Sequence, residues 1–229
     1  ILFIVIITIL GIALAILLRR CQRKTIHIVL VSTGPFLIAI EILKWIVIYT
    51  RGFIDESYPF DIETMLPLHS CSLFMYVCPF ALFSKNRIIK KASSSFLVSI
   101  SMIMGYITMF VGFGGKNSSV FSFFGLHTLV FHAILFIVPL IMLVTKYYEI
   151  EKKDILYGLG LFAIFTMIIF VFDCITKCDY MYIYDGHTFG VFKFIYENVH
   201  HLIWTIISVS AYCITAIATH FIAYCIKNC

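Results

Sequence analysis

The chain has 229 residues, of which 62% are hydrophobic and only 13% charged, with a mean hydropathy of +1.02. That balance excludes a water-soluble domain, whose interior cannot hide so large a share of apolar side chains. The net charge is +5, but its lysines and arginines are spread along the chain, so it reads as membrane topology rather than as a nucleic-acid surface.

An apolar stretch of about 20 residues crosses a hydrocarbon core of about 30 Å, and a helix satisfies its own backbone there. Such stretches occupy Ile1 to Leu18, Thr25 to Tyr49, Thr64 to Phe83, Ala92 to Phe113, Val120 to Thr145, Ile155 to Ile175 and Val199 to Ile226. They predict an all-α, polytopic bundle of about seven transmembrane helices in one domain covering residues 1–229. In the first stretch the basic cluster Arg19, Arg20, Arg23 and Lys24 follows the apolar run, the reverse of signal-peptide order, so it is read as a membrane helix.

Lys and Arg gather on the cytoplasmic side of membrane proteins. One set of alternate loops holds that cluster, then Lys85, Arg87, Lys90 and Lys91, then Lys146, Lys152 and Lys153, and finally Lys227. The other set holds only Arg51, Lys116, Lys177 and Lys193. Twelve against four predicts an N-terminus outside and a C-terminus inside. The outer loops carry acids (Asp55, Glu56, Asp61, Glu63) and aromatics (Tyr180, Tyr182, Tyr184, Phe189), the latter suited to an interfacial belt. Phe and Ile richness suggests an A/T-rich genome and favours a bacterial cell membrane, with a eukaryotic internal membrane as the alternative. The eight cysteines are scattered without zinc or disulfide spacing, and only Cys174 and Cys178 are placed to bridge. No feature calls for a cofactor or a metal.

An ionisable group inside a membrane costs about 2.5 to 3.5 kcal/mol on insertion scales and tends to mark function. Glu41 and Lys44 stand i,i+3 on the second expected helix, His69 and Cys71 early in the third, and His127 and His132 in the first half of the fifth. Asp173 ends the sixth, and His200 and His201 open the seventh. All fall in the outward half under the orientation above, and the inward half is expected to be nearly apolar. Each has a plainer reading: Glu41 and Lys44 neutralise one another, His200 and His201 are wet interfacial residues, and a lone histidine bonds between helices. Their convergence from five helices on one layer is what singles them out.

The sharpest local signal is Leu66-Pro67-Leu68-His69-Ser70-Cys71-Ser72-Leu73. Pro67 suits the first turn of a helix, which places Cys71 near a helix N-terminus, where the dipole favours a thiolate. At i,i+2 His69 and Cys71 point apart, so the base for Cys71 is expected from another helix.

This stretch resembles the Leu-Pro-Leu-His-x-Cys-Ser-Leu signature of the YwaF-like integral membrane proteins, the transmembrane protein 164 family. Phe131 and His132 add to the likeness, as do Asp179, Tyr180, Met181 and Tyr182, where the family tends to carry Asn-Tyr-Met-aromatic. Asp179 replaces the usual Asn, and the loop from Gly112 to Ser119 lacks a Thr-Pro pair often found there. The resemblance implies a Cys/His acyltransferase acting on lysophospholipids, with the nucleophile on Cys71 and the base on His132. It implies a phospholipid acyl chain as partner and leaves donor, acceptor and oligomeric state open. In that mechanism His69 donates to the oxyanion, and Glu41 or Asp173 orients a histidine. Two rivals remain: a small transporter or channel lined by Glu41, Lys44, Asp173 and the histidines, whose polar path would continue to the cytoplasmic side, and a metal or haem site on the histidines.

Overall fold

A computed structural model describes residues 2–54, 66–114, 121–184 and 190–228. Asp55, Glu56, Asp61, Glu63, Phe189 and residues 115–119 lie outside them. Among the described residues every regular element is a helix. In chain order these are α1 (Leu2–Leu18), α2 (Arg23–Ile54), α3 (Leu73–Phe83), α4 (Arg87–Phe96), a π-helical turn (Leu97–Ser101), α5 (Met102–Gly114), α6 (Phe123–Val144), α7 (Asp154–Thr176), α8 (Gly190–Asn198) and α9 (His201–Asn228).

Local chemistry sets several of the boundaries. Asn86 caps α4 by accepting hydrogen bonds from Ile88 N and Ile89 N at 2.9 and 3.2 Å, and Ser122 caps α6 by accepting from Gly125 N at 3.0 Å. Lys177 ends α7 in the left-handed conformation, φ 63°. Pro35, Pro79 and Pro139 lie inside α2, α3 and α6, each removing one backbone donor, a loss that neighbouring helices make tolerable in membrane bundles.

Among the described residues five helices are long and apolar enough to cross a bilayer: Arg23–Arg51, Arg87–Phe110, Phe123–Val144, Asp154–Thr176 and His201–Lys227. Two of the seven expected spans become shorter apolar helices, Leu2–Leu18 and Leu73–Phe83. At 1.5 Å per residue the 11 residues of α3 reach only about 16 Å, about half a hydrocarbon core. The hydropathy of the third stretch hides this, because Leu66 to Ser72 form an apolar approach and a turn rather than helix. Pro67 therefore lies ahead of the helix and not in its first turn.

The helices pack α5 on α6, α4 on α7, α1 on α6 and α9 on the π turn. Leu30, Leu37, Phe74, Phe96, Leu97, Leu135 and Phe162 fill the core, while Leu10, Ile38, Met167, Ile175, Ile214 and Ile222 are exposed. Large apolar side chains outside and polar ones within is the arrangement bilayer solvent demands.

Close approach at Gly105 and Gly158 depends on glycine. A Cβ on Gly105 would lie 2.7 Å from Leu135 Cβ and 2.9 Å from the His132 carbonyl oxygen, and one on Gly158 would lie 2.7 Å from Ser95 Oγ. Small residues that let helix backbones approach are the usual packing device in membranes. Gly105→Ala, which must move backbone, is expected to cost about 1–3 kcal/mol by chemical unfolding in detergent. Gly160→Ala, with nothing within 4 Å, should be neutral or mildly stabilising.

The expected apolar inward half is corrected by the structure. At the Asp154 end of α7 a second polar network is buried. Fully buried Asp154 accepts from Tyr148 Oη at 2.7 Å, Glu151 N at 3.0 Å and Lys91 Nζ at 3.2 Å. Lys91 also pairs with Glu151 at 2.8 Å. Deeper in, His220 donates from Nε2 to the Glu151 carbonyl at 3.0 Å, which leaves Nδ1 to accept from Ser99 Oγ, also at 3.0 Å. Ser93, Ser94, Ser95, Ser99 and Ser101 are buried along α4 and the π turn. Small hydroxyls scarcely register in a hydropathy window, which is why the network was missed. The run Ser93-Ser94-Ser95 with Ser99 and Ser101 inside an apolar stretch was the available signal.

Tyr148 lies in the α6–α7 loop. Burial, then its bond to the Asp154 carboxylate, pushes the phenol well above its ordinary value of 10.0. A raised native value means that the contribution is full below the unfolded pKa and is lost as pH rises through the native one. Stability is therefore expected to fall between about pH 9 and about pH 11 more steeply in wild type than in Tyr148→Phe, as read from denaturant midpoints.

Candidate functional site

Towards the Asp173 end of α7 the polar residues singled out above divide into a connected group and outliers. On α2, buried Glu41 holds Lys44 at 2.6 Å through Oε2 and faces His127 Nε2 of α6 at 3.4 Å through Oε1. One turn further along α6, buried His132 donates from Nδ1 to the Thr128 carbonyl at 2.7 Å. Its Nε2 is buried and has no hydrogen-bond partner among the described residues. Glu41 is close enough for its charge to act on Cys71 and on His132, and His69 and His127 likewise act on His132. Glu41, Lys44, His69, Cys71, His127 and His132 thus form one electrostatic unit built from α2, the turn before α3, and α6.

Cys71 sits in the turn that leads into α3. Ser72 N and Leu73 N both donate to the His69 carbonyl, and Phe74 N to that of Cys71. The thiol lies beside the Ser72 hydroxyl and the amides of Cys71 and Ser72, at the positive end of the helix dipole. No hydrogen bond joins Cys71 to His132, so a proton transfer between them requires the two to close on one another.

His69 donates from Nδ1 to the Tyr180 carbonyl, and its ring lies against Tyr180 and Tyr182, with centroids 5.3 and 5.8 Å away. In the neutral ring only Nε2 is left, and it then carries a lone pair and no proton. Donation to an oxyanion, the role expected of His69, would therefore need the imidazolium.

The partner of His69 belongs to a segment the hydropathy pattern misplaced. Residues 177–184 fold back into the bundle, with Tyr180, Met181 and Ile183 fully buried, so Tyr180 is no interfacial belt residue. Four consecutive carbonyls of this segment each accept from a side chain: Tyr180 from His69, Met181 from Tyr212 Oη at 3.2 Å, Tyr182 from Trp204 Nε1 at 3.1 Å and Ile183 from Thr205 Oγ1 at 2.9 Å. Irregular backbone survives at membrane depth only when satisfied in this way. Asp173 fixes the same segment by accepting from Tyr180 N at 3.2 Å, and Asp179 by accepting from Tyr184 N at 3.0 Å. Asp173 thus reaches His69 through Tyr180 rather than directly. Half-buried Tyr212, which accepts from Ser70 Oγ at 3.3 Å, was not foreseen.

His200 and His201 stand apart. His200 is exposed and accepts from Leu202 N at 3.3 Å at the start of α9, and His201 packs edge-on to Tyr184, with centroids 5.0 Å apart. Cys174 and Cys178 are free thiols. Among the described residues no three His, Cys, Asp or Glu side chains are grouped to hold a metal ion.

Long apolar helices, an apolar exterior and polar clusters confined to the interior make this a multi-pass helical membrane protein. The sequence profile of the TMEM164 family matches residues 1–224. The chain therefore belongs to that family, as the Leu66–Leu73 motif led one to expect. No curated protein and no solved structure matches it.

Proposed function

We propose that the chain is a thiol-dependent acyltransferase acting on phospholipid acyl esters. The observation that carries this reading is His132: one ring nitrogen is locked to the Thr128 carbonyl, and the other is buried without a partner among the described residues, in the same electrostatic unit as a cysteine at a helix start. His132 Nε2 takes the Cys71 proton, and the thiolate attacks the ester carbonyl. The C–S bond forms, the ester C–O bond breaks, and the departing alkoxide takes the proton back from His132. A lysophospholipid hydroxyl then attacks the thioester, passing its proton to His132; the C–S bond breaks, and the departing Cys71 thiolate takes that proton back from His132. The Cys71 amide serves the oxyanion, Glu41 holds His127 and Lys44, and Asp173 positions His69 through Tyr180. In the orientation expected from the basic loops, with the N-terminus outside, this site faces the outer leaflet, where an acyl ester lies at similar depth.

Labelling the protein in lipid nanodiscs with a thiol-directed acyl probe tests the reading. Selective labelling of Cys71 that disappears in His132→Ala supports it. Labelling spread over all cysteines and indifferent to His132 overturns it.

A second reading, a proton or solute pathway, is favoured by one observation: buried polar groups do continue to the far end of the bundle through Ser101, Ser99 and His220 to Asp154. It predicts flux across proteoliposomes that Ser99→Ala reduces and Cys71→Ala leaves intact.

A further inference from the structure

The Asp154 end of α7 carries a site that the acyl-transfer reading does not use. Where α7 begins and α9 ends, a pocket of about 410 Å³ is lined by Ile150, Glu151, Lys152, Lys153, Tyr224 and Lys227. That volume lies in the range of small-ligand sites, about 300–1,000 Å³.

Its charge is one-sided because of the network beside it. Glu151 and Asp154, the two carboxylates nearest in sequence, are both engaged by Lys91 at 2.8 and 3.2 Å. Lys152, Lys153 and Lys227 have no carboxylate partner among the described residues. Two of them are held against the walls all the same. Lys227 Nζ donates to the Ile150 carbonyl at 3.0 Å, which leaves two of its three protons free, and Lys152 Nζ lies 5.5 Å over the Tyr224 ring. The start of α7 adds the positive end of a 23-residue helix.

The surroundings distinguish a lipid from a soluble anion. The residues one turn from the pocket lining on both helices are apolar and exposed: Leu156 on α7, after Lys152 and Lys153, and Phe221 on α9, before Tyr224. A ligand with its phosphate among the lysines would have its chains along these residues, at the level where two bilayer-crossing helices end.

We propose that this pocket binds the phosphate headgroup of an anionic phospholipid, separately from the substrate site at the other end of the bundle. Glu151 limits the negative charge the pocket can accept, and the three lysines supply the attraction.

The test uses the full chain in detergent, titrated with phosphatidylglycerol, phosphatidylcholine or inorganic phosphate and read by the thermal unfolding midpoint and by lipid retention in native mass spectrometry. Wild type is expected to retain phosphatidylglycerol and to gain several degrees from it, with little response to the other two. Lys152→Gln with Lys153→Gln, both exposed and outside the core, should weaken phosphatidylglycerol binding roughly 30-fold, at the scale of about 1 kcal/mol per basic residue. Arg19→Gln with Arg20→Gln removes the same charge from the α1–α2 turn and should leave binding within about twofold. Equal loss in both double variants would reduce the effect to net charge and overturn the site. Saturation by inorganic phosphate alone would overturn the lipid assignment, and indifference to phosphatidylglycerol would overturn the proposal outright.

Discussion

His132→Ala is expected to slow acylation of Cys71 by about 10²- to 10⁴-fold, the range supplied by one positioned acid–base group, while Cys71→Ala abolishes it. The argument rests on the tautomer. With Nδ1–H bound to the Thr128 carbonyl, the lone pair is on Nε2, the nitrogen a base must present. His132→Gln tests this more finely than alanine, because it can fill much of the space but cannot take up a proton. It should retain the fold and lose the rate. Single-turnover acyl transfer from a fluorescent phospholipid, followed by gel, measures both variants. Cys21→Ala and Cys225→Ala, at exposed positions, should match wild type. A His132→Gln enzyme of wild-type rate would remove the histidine from the mechanism and leave the pathway reading in possession of the site.

Asp154→Ala should be the most destabilising single substitution at the opposite end, costing about 3–5 kcal/mol. The carboxylate is fully buried and takes three hydrogen bonds. Removing it leaves the buried Tyr148 hydroxyl and the Lys91 ammonium short of a partner, and an orphaned charge is what makes broken buried pairs expensive. Glu151→Ala, on the exposed arm of the same network, should cost no more than about 1 kcal/mol. Lys91→Met combined with Asp154→Leu should recover much of the loss, since apolar replacement of a whole buried pair is often neutral. Unfolding in mixed micelles, with the fluorescence of Trp204, buried on α9, or proteolysis as readout, separates these outcomes. A loss below about 1 kcal/mol for Asp154→Ala would mean that water reaches the carboxylate.

The sequence and the structure agree best where a single helix carries its own evidence. The apolar stretches coincide with α2, α6, α7 and α9 to within a few residues, and the i,i+3 spacing of Glu41 and Lys44 predicted a pair that is present at 2.6 Å. They part where the deciding contact is remote. The third stretch is half loop and half helix, and apolar composition is the same for both. Tyr180 and Tyr182 read as interfacial because aromatics suit a membrane boundary as well as a buried contact, and only His69, 111 residues away, decides between them. The π turn at Leu97–Ser101 has no local sequence mark and became visible through Ser99 meeting His220. At the site the residue types were legible. Which of them touch was not: Glu41 reaches His127, whereas Asp173 reaches a backbone amide.

The carbonyl ladder over residues 180–183 also bears on how the protein is made. Three of its four donors, Tyr212, Trp204 and Thr205, are on α9. During synthesis the loop emerges before that helix does, so it cannot settle at membrane depth until α9 has been inserted and docked. His69, although threaded in earlier, is therefore expected to gain its bond to the Tyr180 carbonyl only after α9 has docked.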